Sequence, residues 1–153
     1  VQAMEADYPD VGVSYEFVDA VAMRLVQWPN SYDVLITENL FGDILTHEAS
    51  VISGSMGLMP SASVGSKTAL FEPIHGSFPQ AGGKDIANPL ATVLAAAMMF
   101  EMAFDLKEEG ALIREVVQQS LAEGIVTEDL VEGDAKAYKT SEVGDYLAKN
   151  VAG

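Results

Sequence analysis

The chain has 153 residues, 49% hydrophobic and 20% charged, which is enough for a packed core and unlike a disordered composition. Eight basic against 23 acidic residues give a formal net charge of −15, which makes nucleic acid and anionic membrane surfaces poor partners. The lack of cysteine excludes disulfides, zinc thiolate sites and Cys nucleophiles.

Val1 and Met4 read as the tail of an amphipathic helix that Pro9 stops, so the chain is expected to be a piece of something longer. No signal-peptide pattern opens it, and a cytoplasmic home is expected by default. Val11 to Val18 alternates apolar and polar positions and predicts a strand. Asp19 stands where an N-cap belongs, before a helix over Ala20 to Gln27 with Val21, Leu25 and Val26 on one side. Trp28-Pro29-Asn30 ends that helix, and Asp33 to Thr37 reads as a strand buried on both faces. Phe41-Gly42-Asp43 predicts a turn, and Ile44 to Ile52 a second helix. Ser53 to Gly57 is a Gly/Ser break, and Leu58 to Val64 and Ala69 to Glu72 are strand-like.

Ser77 to Pro89 is a long polar loop with Gly82, Gly83 and two prolines, and loops of that length are usually functional. The longest apolar run, Ala87 to Phe104, contains Asn88, Pro89 and Glu101, so it reads as a buried core helix and not a membrane span. Met98, Met99 and Phe100 belong to that core. Helices are predicted over Leu90 to Phe104 and Gly110 to Glu123, the latter closed by Gly124. Thr127 to Leu130 is a turn. The last helix, Ser141 to Val151, is capped by Ser141 and presents Val143, Tyr146 and Leu147 on one face. Alternating strands and helices predict an α/β class.

Asp43 and His47 are four apart on a predicted helix and share a face. With Asp19 they form a candidate site for a hard divalent cation, while Asp at a helix start also serves as a cap. Glu72, His75, Gly76 and Ser77 precede the long loop, where glycines and a helix N-terminus could admit a phosphate. A tight turn around a buried histidine fits the same residues, and no GxGxxG fingerprint follows a strand. Lys84 and Asp85 read as a solvated pair.

Five segments in order carry a resemblance: DAVAM from Asp19, TENLFGDIL from Thr37, GSMGLMPSA from Gly54, FEPIHGS from Phe71 and GKDIANP from Gly83. Together they closely resemble the second half of 3-isopropylmalate dehydrogenase, in the isocitrate/isopropylmalate dehydrogenase family. The resemblance implies that family's own two-domain α/β fold, not a Rossmann fold. It implies a dimerisation region at about residues 11–64, and a cofactor-binding loop with C-terminal helices at about 65–153. The homodimer would form through helices near 20–27 and 43–53, packed as a four-helix bundle.

The implied activity is oxidative decarboxylation of 3-isopropylmalate to 4-methyl-2-oxopentanoate in leucine biosynthesis, with NAD and Mg²⁺ or Mn²⁺. Asp19, contributed across the dimer, and Asp43 would bind the metal. Glu72, His75, Gly76, Ser77 and Asn88 match positions around the cofactor, and Asp129 one near it. Two positions depart from the family pattern. His47 stands where a third metal aspartate is usual, and Gln80 where an aspartate usually accepts from the adenosine ribose. The substrate arginines, the tyrosine and the base lysine belong to the N-terminal half, so the chain alone is expected to be inactive. Neither Arg24 nor Arg114 sits in a substituting motif. Two other readings fit: a sibling acting on isocitrate, tartrate or malate, and a non-catalytic dimerisation module.

Overall fold

Apolar residues at helical spacing generate five α-helices, and two short strands pair into the only sheet (α1 Val18–Gln27, α2 Asn39–Ser53, β1 Pro60–Val64, β2 Ala69–Pro73, α3 Leu90–Ala103, α4 Lys107–Ala122 and α5 Thr140–Ala152). The computed structural model describes all residues from 1 to 153. They fall into two units, residues 1–49 and 50–153. The architecture is mixed α/β and mostly helical, as the family resemblance implies.

In the first unit, Val21 and Leu25 of α1 bury against Leu45 of α2, with Val18, Ala22, Tyr32 and Ala49 around them. The predicted strands are not formed here. Residues 11–17 and 33–37 run without strand pairing, and Val34 and Ile36 are 78% and 75% exposed. A strand needs a neighbour for its N–H and C=O groups, and the hydrophobic pattern alone cannot supply one. Helix α1 starts at Val18, one residue before the expected cap, with Phe17 at the cap position. Asp19 therefore lies inside the first turn, where its carboxylate accepts from the Ala20 N–H at 2.8 Å. Helix α2 begins at Asn39, so Phe41-Gly42-Asp43 is helical and not a turn.

In the second unit, β1 and β2 pair antiparallel from Pro60 opposite Pro73 to Val64 opposite Ala69. Helix α3 packs on this hairpin and on α4, and α4 packs on α5. Leu90, Val117 and Val143 are buried to 2% exposure or less, each such side chain contributing about 1.5–3 kcal/mol. Val116 and Leu147 complete that cluster. Helix α3 buries Leu90, Ala91, Ala95 and Ala97, whereas Met98, Met99 and Phe100 are only partly buried. The small alanines, not the large methionines, take the tightest contacts.

Helix α4 starts at Lys107, and Gly124 follows its end with φ +70°, the expected left-handed terminator. Helix α5 buries Val143 and Leu147 and half-buries Tyr146, as predicted. Its start differs, because Lys139 and not Ser141 occupies the cap position. No helix is long and apolar enough to cross a membrane.

Candidate active site

Three segments meet at a pocket of about 740 Å³ in the second unit. The first is the Ser55–Gly57 turn after α2, the second is the polar loop from His75 to Asn88, and the third is the Glu128–Leu130 turn. Met56, Phe78, Ala81, Ile86 and Ala87 contribute apolar walls, while Ser55, Asn88 and Asp129 contribute polar groups. A mostly apolar concavity with a few convergent polar groups is the form of a small-molecule site.

Asp129 ties the three segments together. It accepts from the Ser55 hydroxyl, from Asn88 Nδ2 at 2.9 Å and from Thr127 Oγ1 at 2.6 Å. Burial alone would push its carboxyl up, but the hydrogen bonds from Ser55, Thr127 and Asn88 outweigh burial and hold it below the usual carboxylate range. Asn88 is fixed at both ends of its amide, because its Oδ1 also accepts from the N–H of Leu90, the first residue of α3, at 2.9 Å. Gly57 makes this approach possible, since a Cβ there would stand 2.7 Å from the Asn88 side chain. Ser55 in turn accepts from the Gly57 N–H at 2.9 Å.

Of the residues expected around a cofactor, His75, Gly76, Ser77, Asn88 and Asp129 line this pocket. Glu72 lies on β2, exposed and opposite Ser61, and Gln80 lies exposed in the Pro79–Ala81 turn; neither is in the lining. His75 Nδ1 lies 2.9 Å from the Gly76 carbonyl oxygen, which fixes its ring. Sequence reasoning passed over Ser55, Gly57 and Phe78. The Gly/Ser break at Ser53 to Gly57 was a signal for the first two, while Phe78 in the left-handed region, at φ +41°, left no sequence signature. Lys84 and Asp85 are both exposed, as expected of a solvated pair, but no ion pair joins them. Asp85 instead accepts from Ser141 at the start of α5.

The metal candidates lie in the first unit. Asp43 accepts from Asn39 Nδ2 at 3.0 Å, and His47 sits one turn on, its Nδ1 2.7 Å from the Asp43 carbonyl oxygen. Asp19, Asp43 and His47 are all exposed. No three acidic or imidazole side chains of this chain converge, so by themselves they do not make a metal centre. Both arginines are occupied by carboxylates. Arg24 pairs with Glu16 at 2.6 Å, and Arg114 binds Glu101 through two bonds of 2.7 and 2.8 Å.

The sequence profile described as isocitrate/isopropylmalate dehydrogenase matches residues 1–147. The 3-isopropylmalate dehydrogenase of Bacteroides fragilis is 56% identical over 97% of this chain and 43% of its own length. That of Nitratidesulfovibrio vulgaris is 48% identical over 99% of this chain and 43% of its own. Among solved structures, an isocitrate dehydrogenase from Methylococcus capsulatus superposes with a TM-score of 0.93 at 35% identity, covering 99% of this chain and 44% of that one. A β-decarboxylating dehydrogenase from Thermococcus kodakarensis gives 0.81 at 37% identity, covering 98% and 43%. The chain thus spans about two-fifths of the length of these relatives. With profile, identity and fold in agreement over nearly all its residues, the chain belongs to the isocitrate/isopropylmalate dehydrogenase family of decarboxylating dehydrogenases.

Proposed function

We propose that this chain is the cofactor side of an NAD-dependent 3-isopropylmalate dehydrogenase, active only within the complete enzyme. The observation that carries the reading is the pocket that gathers five of the seven residues expected around the cofactor: His75, Gly76, Ser77, Asn88 and Asp129. Its size, apolar walls and fixed Asn88 amide fit a nucleoside, which offers a flat base and a few hydrogen-bonding edges. Asp129 orients that amide, and His75 to Ser77 form the rim on the β2 side. Glu72 and Gln80 contribute from outside the lining, Gln80 toward the adenosine ribose.

Asp43 and His47 would hold a Mg²⁺ or Mn²⁺ ion together with Asp19 of a second subunit, a set that this chain does not close alone. Exposed Met23 and Val26 on α1, with Leu40, Ile44, Val51 and Ile52 on α2, support a homodimer through these helices. When bound, the nicotinamide supplies the hydride acceptor and the metal polarises the resulting keto acid for decarboxylation. Leucine biosynthesis and a cytoplasmic location follow from the same reading, and the isolated chain is inactive for want of the substrate-holding half.

The likeness to the Methylococcus isocitrate dehydrogenase favours a second reading, a sibling acting on another 2-hydroxy acid. The test is metal-dependent NADH formation by the full-length protein with 3-isopropylmalate, isocitrate, tartrate and malate. A kcat/KM highest for 3-isopropylmalate supports the first reading, and a higher value for another acid establishes the second. No turnover with any of them would leave a non-catalytic dimerisation module.

A further inference from the structure

Asp85 does not line the pocket, yet it is the most heavily bonded residue of the loop. Its Oδ1 accepts from the Ser141 N–H at 2.9 Å and its Oδ2 from the Ser141 hydroxyl at 2.6 Å. Its own carbonyl accepts from the Thr140 N–H at 3.1 Å, and Thr140 Oγ1 donates to the Ala87 carbonyl at 2.6 Å. Four bonds therefore join residues 85–87 to the first turn of α5, whose N-terminal end favours a carboxylate. The Ser141 bonds hold the Asp85 carboxyl below the usual range, so it is charged at neutral pH.

Asp85 is also in the left-handed region, at φ +56°, a conformation that persists where surroundings over-determine it. It is exposed and adds nothing to the apolar core. Helix α5 is already docked by Val143, fully buried, and Leu147 at 4% exposure. What the Asp85 bonds add is the position of the loop. The residues that follow at once, Ile86, Ala87 and Asn88, are pocket walls. At the far end Asn88 is held by Asp129. The wall is thus suspended between two anchors, one on α5 and one on the Glu128–Leu130 turn.

We infer that Asp85 is a positioning residue for the cofactor pocket, its carboxylate pinning the loop wall to the start of α5 so that Ile86 to Asn88 are preorganised for the adenosine part of NAD. The inference rests on the NAD reading above. In the full-length enzyme, Asp85→Gly keeps the left-handed backbone accessible and removes the carboxylate, and Ser141→Ala removes one donor without touching the loop. Asp85→Asn retains an acceptor and tolerates the same φ.

Preorganisation acts on binding, so Asp85→Gly should raise the KM for NAD and the inhibition constant of AMP together, by about tenfold, with kcat within about twofold. Ser141→Ala should shift both by about threefold, and Asp85→Asn should restore most of the loss. Unchanged KM and AMP inhibition with only a lower Tm would make Asp85 a plain helix cap and overturn the inference, leaving the NAD reading intact. A wild-type enzyme that reduces neither NAD nor NADP would remove the NAD reading, and the inference with it.

Discussion

Removing the Asp129 carboxylate tests whether the pocket floor is built around it. Asp129→Ala deletes three hydrogen bonds, from Ser55, Asn88 and Thr127. Ser55 and Asn88 line the pocket and regain water in the variant. Each such bond contributes about 1 kcal/mol or less, because charge assistance is offset by solvent access. Thr127 is different, since at 1% exposure its hydroxyl has no water to replace the lost acceptor. An orphaned buried hydroxyl costs about 1–3 kcal/mol.

The sum is a loss of about 3 kcal/mol, a large part of the ~5–15 kcal/mol stability of a small domain. Asp129→Asn keeps one acceptor and should lose only about 1 kcal/mol. Urea unfolding of the chain followed by far-UV circular dichroism reads both values. The Thr127 contribution is isolated by a double-mutant cycle, in which Asp129→Ala in a Thr127→Val background should cost about 1 kcal/mol less than in wild type. A loss below about 0.5 kcal/mol for Asp129→Ala, or no coupling with Thr127, would refute a load shared through this carboxylate.

The same carboxylates set the acid response. Asp129, Asp85 and Glu101 all have carboxyl groups held below their usual range, so their stabilisation is complete above the unfolded values near pH 4 and is lost as pH falls through the lower folded ones. Stability from these groups should be level from about pH 5 to 7 and drop below about pH 4, with a shallower drop in Asp129→Asn; a decline already under way at neutral pH would contradict the assignment. Replacing His47 by Asp adds a negative, harder ligand beside Asp43, so half-maximal activity of the full-length enzyme should need less Mg²⁺. An unchanged Mg²⁺ titration would leave His47 a helix-face residue. The pocket is lined by Glu128 and Asp129 and by no lysine or arginine, which disfavours a 2′-phosphate. NAD should therefore exceed NADP in kcat/KM by about tenfold or more, and parity would show that other residues select the cofactor.

The candidate site was legible where the chemistry is local. Glycines, a histidine and an amide in the stretch from Phe71 to Pro89 mark a loop between β2 and α3, and most of them do line one pocket. Helices α3, α4 and α5 were legible for the same reason, because a helix satisfies its own backbone and needs only a face to bury. Strands in the first unit were not, since Val11 to Val18 and Asp33 to Thr37 carry the right pattern but no neighbour to pair with. Asp85 was misjudged because its partner, Ser141, is 56 residues away, a pairing that no local window contains. Ser141 was expected to cap α5, but it lies in the first turn behind Lys139 at the cap position, and its hydroxyl donates to Asp85.

The two halves of the proposed chemistry differ in what they require. Every residue lining the proposed nucleotide pocket lies between Ser55 and Asp129, within the second unit, and the polar contacts that shape it are made there. Its geometry therefore needs no group from the first unit. The metal candidates Asp19, Asp43 and His47 all belong to the first unit, are exposed, and do not converge. A carboxylate that points to solvent gains ligand character only when others are brought to it, because a divalent ion requires several oxygen donors at once. In the proposed reading, nucleotide recognition is thus built into this stretch of chain, while metal binding would belong to an assembly. Loss of turnover on disrupting the subunit interface would bear on the second alone and would leave the pocket's affinity for AMP as the measure of the first.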